Sequence, residues 1–261
     1  MRAAPRFVLS FSKPPSLARP SERFHMSGSI VILTGAGISK ASGLETFSGD
    51  GGIWNTHEVD KIASAEALAK TPTQVLSFYD DMRRKLLSDE VSPNAAHYAL
   101  ARLEGEWAGQ VVIITQNIDN LHERAGNTHV IHSHGELTKA RCTSCGHVFS
   151  WWRDIDTNDL CGVCGEDAPL RPHIVLFGES PLELGKTEDA LGHCDLFVSI
   201  GSSLTVHPAA GFVDVVNSRD NTRTVELNQE PSARSEVFDE GYFGAAEEIV
   251  PIFVSGLLAG A

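Results

Sequence analysis

Two pairs of cysteines have the spacing of metal ligands. Cys142 and Cys145 form one CxxC pair, and Cys161 and Cys164 form a second pair after fifteen intervening residues. Each pair can turn two thiolates towards one ion, and two such pairs complete the tetrahedral shell that zinc prefers. Four protein ligands leave no open position for catalysis, so the sequence predicts one structural zinc ion, Zn(2+). Cys194 lies outside this pattern and is interpreted as a buried core thiol.

A glycine turn follows the first strongly apolar run of the chain. Residues 30–33 suit a strand that is buried on both faces of a parallel sheet, and Gly35, Ala36 and Gly37 follow after one threonine. A strand, a glycine turn and a helix N-terminus together favour an anion such as a phosphate. The dinucleotide fingerprint also needs a third small residue, but Lys40 occupies that place. By itself, this turn fits a nucleotide site and a simple tight turn equally well.

Further polar clusters come directly after other apolar runs of strand length. They begin at Gln116, His134, Gly201 and Asn228. Ligands of parallel sheets bind beyond the carboxyl ends of the strands. We therefore expect these clusters and the turn at Gly35 to line one crevice.

The elements that position these residues alternate between strands and helices. Strands are predicted at 30–33, 111–115, 130–133, 174–177, 196–200 and 224–227, and helices at 72–87, after 94, at 182–191, 209–216 and 247–258. This alternation predicts an α/β fold with a Rossmann-like parallel sheet. Residues 42–54 are rich in glycine and small polar residues, which is typical of a long functional loop.

Composition restricts the class of partner. The chain has 261 residues, a net charge of −13 and no apolar stretch long enough to cross a membrane. The acidity argues against a nucleic-acid partner and favours basic partners such as lysine-rich protein segments. The cysteine pattern is typical of metal binding in a reducing compartment, so a cytoplasmic location is expected.

The first 28 residues differ in composition from the rest of the chain. They contain several serines and prolines, one acid, Glu22, and the basic residues Arg2, Arg6, Lys13, Arg19 and Arg23. A transit peptide has this composition. A disordered extension, or translated sequence upstream of a start at Met26, is the preferred interpretation, because Met26 leads almost directly into the first strand.

The motifs occur in the order found in one enzyme family. Gly-Ala-Gly-Ile-Ser at 35–39, Thr-Gln-Asn-Ile-Asp at 115–119, His-Gly-Glu-Leu at 134–137, the paired CxxC motifs and Gly-Ser-Ser-Leu at 201–204 resemble the sirtuins, which are NAD-dependent protein-lysine deacylases. The resemblance runs from about Ile30 to the C-terminus. The segments that are most similar to the bacterial class III, CobB-like members are 116–126, 169–173 and 208–212.

The resemblance also implies how the chain is divided. The sirtuin catalytic domain would span 29–261, after the extension at 1–28. Its Rossmann-like core would comprise 29–54, 106–135 and 173–261. A smaller domain would combine a helical insertion, 55–105, with a zinc module, 136–172.

The family's functional residues carry over to matching positions. The catalytic residues implied are His134, Asn117 and Asp119. The residues expected to contact NAD are Gly35, Ala36, Gly37, Ser39, Phe47, Trp54, Gln116, Asn117, Ile118, Asp119, His134, Gly201, Ser202, Ser203, Asn228, Gln229, Glu230 and Ala246. Phe177, Gly178 and Glu179 would pair with an acyl-lysine protein or peptide by strand addition, and Tyr79, Met82 and Arg83 would face the acyl group.

The implied reaction needs a well-positioned NAD rather than a strong protein nucleophile. The acyl oxygen of the substrate attacks the ribose as nicotinamide leaves, and a neutral imidazole at His134 accepts a proton from a ribose hydroxyl. The products would be free lysine, nicotinamide and O-acyl-ADP-ribose.

Three positions depart from the family pattern. Ser48 replaces an arginine, which removes charge-assisted contacts with NAD. Lys40 replaces a small residue, and is either a local packing change or a returned positive charge near the diphosphate. Class III members recognise acidic acyl groups with Tyr-x-x-Arg, but here Tyr79 is followed by Met82, and Arg83 comes one residue late. We therefore expect neutral acyl groups to be preferred over succinyl.

Two other functions could use the same site. One is mono-ADP-ribosyl transfer or NAD cleavage. The retained segment Phe177-Gly178-Glu179 argues against it. The other is a non-enzymatic, NAD-responsive binding module, which Ser48 suggests and His134 argues against.

Overall fold

A parallel β-sheet forms the centre of the part of the chain that the structure describes, which comprises residues 27–45, 62–165, 167–219 and 222–260 of a computed structural model. The strands, numbered along the chain, are β1 (Ile30–Thr34), β2 (Val111–Thr115), β3 (Val130–His132), β4 (Gly135–Cys142), β5 (Val148–Ser150), β6 (Leu170–Ile174), β7 (Leu196–Ile200), β8 (Arg223–Asn228) and β9 (Glu240–Phe243). The main sheet has the order β3-β2-β1-β7-β8-β9, and its pairings are parallel. The predicted Rossmann-like sheet is confirmed.

Helices cover both faces of this sheet. The α-helices are α1 (Ala65–Lys70), α2 (Pro72–Leu86), α3 (Ala95–Glu106), α4 (Leu121–Ala125), α5 (Leu184–Gly192), α6 (Phe212–Asn217) and α7 (Ala246–Ala259). Successive side chains of a strand point to opposite faces. Ile30 and Ile32 of β1 therefore pack with α3 and α7, whereas Val31 and Leu33 pack with α6. Burial on both faces is the physical reason for the nearly continuous apolar sequence of β1.

The order of the strands reverses at β1. From β1 the sheet grows outward through β2 and β3, and the chain returns to the other side of β1 as β7. In open α/β sheets, ligands bind beyond the carboxyl ends of the strands at such a switch point. The fold therefore places a binding crevice where β1 ends at Thr34 and β7 ends at Ile200.

A separate antiparallel sheet has the order β5-β4-β6. We call residues 135–174, which hold these strands and the four paired cysteines, the cysteine module. Helix α2 packs against it, and Leu76 lies in one buried cluster with Ala140, Ile155 and Leu170.

One predicted strand is wrong. The run 174–177 is predicted to belong to the main sheet, but β6 ends at Ile174 and pairs antiparallel with β4 of the cysteine module. Phe177 forms an isolated parallel bridge with Ser64. A short apolar run indicates burial but does not identify its partner strand, which explains the error.

Other expectations have clear outcomes. Cys194 is fully buried in the core between the main sheet and α6, as predicted. The segment after the glycine turn forms a 3-10 helix, Ala36–Ser42, rather than the first turn of an α-helix. Most of the predicted functional loop, 46–54, lies outside the described residues. Among the described helices, none has the length and apolarity needed to cross a membrane.

Candidate functional site

Two glycine turns meet at the switch point of the sheet. The amide of Gly35 donates to Ile200 O at 2.9 Å, and that of Gly37 donates to Gly201 O at 2.9 Å. A Cβ atom on Gly37 would lie 2.7 Å from Gly201 Cα, and one on Gly35 would lie 2.7 Å from Ser202 Cα. The two turns thus pack backbone to backbone, and this close approach requires glycine. The amides of Gly35 and Gly37 hold the crevice together.

A buried polar cluster lies beneath the glycine turn. Ser39 Oγ donates to Asp119 Oδ2 at 2.9 Å, and Asn117 Nδ2 donates to Gly35 O at 3.1 Å and to Ser39 Oγ at 3.3 Å. Asn117 and Asp119 are 3% and 6% exposed. Burial raises the pKa of the Asp119 carboxyl, although hydrogen bonds from Leu121 N and Ser39 oppose this shift. The segment after β2 is therefore fixed to the turn after β1.

A second network crosses the ends of β2, β7 and β8. Ser202 Oγ donates to Gln116 Oε1 at 2.7 Å, and Asn228 Nδ2 donates to Ser202 O at 2.9 Å. His134 joins the same network, because its Nδ1 lies 2.9 Å from Gln116 O. The structure thus brings the polar clusters at Gly35, Gln116, His134, Gly201 and Asn228 to one edge of the sheet, where the sequence places them.

The hydrogen bond of His134 determines its tautomer. A carbonyl oxygen can only accept, so Nδ1 carries the proton and Nε2 keeps its lone pair. Burial lowers the pKa of His134, and the hydrogen bond to Gln116 O opposes this shift only in part. His134 is therefore a neutral imidazole at pH 7, with Nε2 available as a base.

The remaining predicted NAD contacts occupy different positions. Ile118 is buried in the apolar cluster that also contains Tyr79. Ser203, Gln229 and Glu230 are exposed at the ends of β7 and β8, and Ala246 begins α7. Phe47 and Trp54 lie outside the described residues, as does Ser48.

Sequence reasoning missed Glu226. This residue of β8 is 1% exposed and accepts hydrogen bonds from Ser232 N at 3.0 Å and from the Ser235 hydroxyl. Its carboxylate thereby anchors the loop that follows Asn228. A single acid within the apolar run 224–227 was the available signal, because a buried carboxylate needs donors.

The three residues expected to face the acyl group lie on α2. Tyr79 is 4% exposed, and burial raises the pKa of its hydroxyl. Met82 is partly buried against the same apolar cluster. Arg83 is 1% exposed, pairs with Asp80 and donates from Nε to Leu137 O at 2.6 Å. The charge of Arg83 is thus used within the protein.

The segment 177–179 lies at the edge of the cysteine module. Phe177 N donates to Ala63 O at 2.8 Å, and Ala65 N donates to Phe177 O at 3.3 Å. Gly178 has a φ of +90°, which favours glycine, and it is exposed. Glu179 accepts hydrogen bonds from Arg171 of the cysteine module at 2.6 and 3.1 Å.

The four paired cysteines converge on one point. Their sulfur atoms lie within 4.8 Å of one another. Two of the separations, Cys142 to Cys164 and Cys145 to Cys161, are 3.9 and 3.8 Å, and a zinc ion with bonds of about 2.3 Å needs sulfur atoms about 3.8 Å apart. The backbone N–H of Cys145 chiefly lowers the pKa of the Cys142 thiol, to about 6, which favours the thiolate that binds metal. These residues fit the predicted structural zinc.

A parallel sheet with a polar crevice at its switch point, joined to a module with four clustered cysteines, defines a nucleotide-binding α/β protein that carries a structural metal. A family model described as the Sir2 family matches residues 35–208. The chain belongs to the Sir2 family, and the resemblance to sirtuins read from the motifs is confirmed.

Known relatives agree with this family over most of the chain. A Pasteurella multocida protein named NAD-dependent protein deacylase is 49% identical over 229 residues, which are 88% of this chain and 97% of that protein. A solved Sir2 homolog–NAD complex has a TM-score of 0.81 at 34% identity and covers 90% of this chain and 91% of its own. A structure of Sir2Af2 bound to a myristoylated histone peptide has a TM-score of 0.68 at 31% identity, with 88% and 91% covered.

Proposed function

We propose that this Sir2-family protein is an NAD-dependent protein-lysine deacylase that prefers neutral acyl groups to succinyl. The observation that carries the proposal is the placement of neutral His134 in one hydrogen-bonded network with Gln116 and Ser202, at the switch point of the sheet. NAD would supply a ribose carbon made electrophilic by its positively charged nicotinamide leaving group.

Different residues of the chain would bind different parts of NAD. The turn at 35–39 and the exposed Ser203 would hold the diphosphate and the adenosine side, together with Asn228. Asn117 and Asp119 would position the nicotinamide ribose and the carboxamide, because their hydrogen bonds to the Gly35–Ser39 turn fix their orientation. Pre-organised groups of this kind reduce the entropic cost of reaching a reactive geometry.

His134 would act as the general base. Its Nδ1–H is held by Gln116 O, so Nε2 is the atom that accepts a proton from a ribose hydroxyl. A buried environment keeps the imidazole neutral before this transfer. The cysteines would hold zinc away from this chemistry and stabilise their module.

The acyl preference rests on the partners of Arg83. A succinyl chain brings a carboxylate into an apolar environment, where an unpaired charge is costly. Met82 offers a thioether in place of a cation. Arg83 is a poor replacement, because its side chain is 1% exposed and its charge is already paired with Asp80.

Arg171 is not a substitute cation either. This residue interacts electrostatically with Tyr79, but it is already engaged with both carboxylate oxygens of Glu179 and with Ile174 O at 2.8 Å. Both terminal nitrogens of its guanidinium are therefore already bound within the protein. A lysine with an acetyl or a longer aliphatic acyl group avoids the need for any cation at this place.

The test compares acetyl, butyryl, a long fatty acyl and succinyl groups on the lysine of one peptide. We expect NAD-dependent release of free lysine with a lower kcat/KM for succinyl, and mass spectrometry should identify nicotinamide and O-acyl-ADP-ribose. ADP-ribose attached to protein, without loss of the acyl group, would support an ADP-ribosyltransferase instead. A higher kcat/KM for succinyl would contradict the proposed preference.

A further inference from the structure

The carboxylate of Glu179 is held by arginines from two different strands. Arg141 of β4 donates from Nη2 to Glu179 Oε1 at 3.0 Å. Arg171 of β6 donates from Nη1 to Oε1 at 2.6 Å and from Nη2 to Oε2 at 3.1 Å. We call these three residues the Arg–Glu–Arg clamp. Its bidentate half is the geometry in which guanidinium and carboxylate bind most strongly.

Glu179 of the clamp also closes the turn between Leu176 and Glu179. Glu179 N donates to Leu176 O at 2.9 Å, and Leu176 N donates back to Glu179 Oε2 at 2.8 Å. Between them lie Phe177, which is 43% exposed, and exposed Gly178. The surface segment that the resemblance to sirtuins implies for peptide pairing is therefore fixed at its end by one carboxylate.

Arg141 and Arg171 are direct cross-strand partners in the sheet of the cysteine module. Like charges in that relationship repel, so the pair alone would destabilise the sheet. Glu179 offsets this repulsion by accepting from both. The pairing of Arg141 with Arg171 is thus favourable only when the turn that carries Glu179 lies against β4 and β6.

The same two strands carry the clamp and part of the metal site. Arg141 precedes the cysteine ligand Cys142, and Cys142 is the register partner of Leu170, which precedes Arg171. The positions of Arg141 and Arg171 are consequently set by the pairing of β4 with β6, which ends at the cysteine ligand Cys142.

We propose that Arg141 and Arg171 are positioning residues for acyl-peptide recognition, acting through Glu179 to hold the 177–179 turn where a substrate strand can pair with it. This inference rests on the proposed function. Strand addition depends on aligned backbone donors and acceptors, so a displaced turn weakens peptide binding. Among the residues that the structure describes, no hydrogen bond joins the clamp to Gly35 or Gly201, so NAD use should change little.

The experiment replaces Arg141 by Gln and by Lys, with Arg153→Gln as the matched control. Arg153 also makes a two-bond pair with an acid of the cysteine module, at 3.0 and 2.6 Å from Asp159, and its side chain bonds to none of the residues 176–179. In Arg141→Gln we expect the KM for an acetyl-lysine peptide to rise about tenfold or more, because the turn loses a charge-assisted hydrogen bond. The KM for NAD, the zinc content and the melting temperature should stay near those of Arg153→Gln, and Arg141→Lys should recover part of the loss.

Each of the following outcomes would overturn the proposed positioning role of the clamp. If Arg141→Gln behaves like Arg153→Gln in its peptide KM, the turn does not need Arg141. If it loses zinc, or raises both KM values equally, the arginine supports the module as a whole rather than the turn. A wild-type protein that shows no NAD-dependent deacylation would instead refute the proposed function, and this result is distinct from all of these.

Discussion

Asp80 and Arg83 form an ion pair inside the protein, one turn apart on α2, with side-chain exposures of 7% and 1%. Asp80 also accepts a hydrogen bond from Ile155 N at 3.1 Å, and Arg83 donates to Leu137 O at 2.6 Å. The two residues of the pair thereby join α2 to two separate segments of the cysteine module, one through Ile155 and the other through Leu137.

Asp80→Asn should destabilise the protein by about 3–5 kcal/mol, because it leaves the buried charge of Arg83 without its partner. Asp81→Asn is the matched control. It removes the ion pair with Arg84, in which the side chains of Asp81 and Arg84 are 68% and 53% exposed, and should destabilise the protein far less than Asp80→Asn. Urea unfolding of both variants measures the difference, and equal losses would contradict the structural role of the buried pair.

Met82→Arg should shift acyl selectivity towards succinyl by about tenfold or more relative to acetyl, because a new cation beside Tyr79 can pair with the acyl carboxylate. Met82→Gln, which adds polarity without charge, is the control. The ratio of kcat/KM values for the two acyl peptides is the measurement. A ratio that does not move would mean that residue 82 does not face the acyl group.

His134 should keep its neutral, basic form to a lower pH than an ordinary histidine, because burial lowers its pKa. The base works when neutral, so the rate should stay level as pH falls towards this lowered pKa and drop once pH passes below it. The pH profile of kcat/KM for the acyl peptide tests this. His134→Ala should abolish acyl transfer and leave NAD binding largely intact, and unchanged turnover would remove His134 from the mechanism.

Acid should destabilise the fold through His97. Burial lowers its pKa to about 4, so the unfolded chain binds a proton below about pH 6.5 that the folded chain does not. The free energy of unfolding should therefore fall as pH decreases from about 6.5 to about 4, by up to about 1.4 kcal/mol per pH unit from this residue. His97→Gln should show a shallower dependence, and an identical slope would contradict this assignment.

Freshly purified protein should contain one zinc ion per chain. Cys164→Ser should lose it and unfold more readily, because the metal stabilises the module that holds it. Cys194→Ala, which removes a buried thiol outside the cluster, should keep the metal. Metal analysis by atomic emission decides the outcome, and a metal-free wild-type protein would refute the prediction.

The sequence predicted the elements whose signal is local. β1, β2 and β7 are apolar runs rich in branched residues that end at small or polar residues, and this pattern is the direct consequence of burial on both faces. The cysteine cluster was equally local, because each CxxC pair fixes two ligands within four residues.

Pairing was not local, and the error at 174–177 shows the reason. The run Ile174-Val175-Leu176-Phe177 is apolar in either setting, but its partners, β4 and Ser64, are distant in sequence. The tautomer of His134 was equally hidden, because it depends on a carbonyl 18 residues away.

The sequence by itself determined the family, the four cysteines that converge on one point and the polar residues at the strand ends, because each of these follows from residue type and short spacing. Only the tertiary structure decided that Arg83 is committed to Asp80 and Leu137 O, and that Arg141 and Arg171 both hold Glu179. The physical reason is that a charged side chain has the same chemistry wherever it lies. Its role depends on which partners remain after the surfaces have packed.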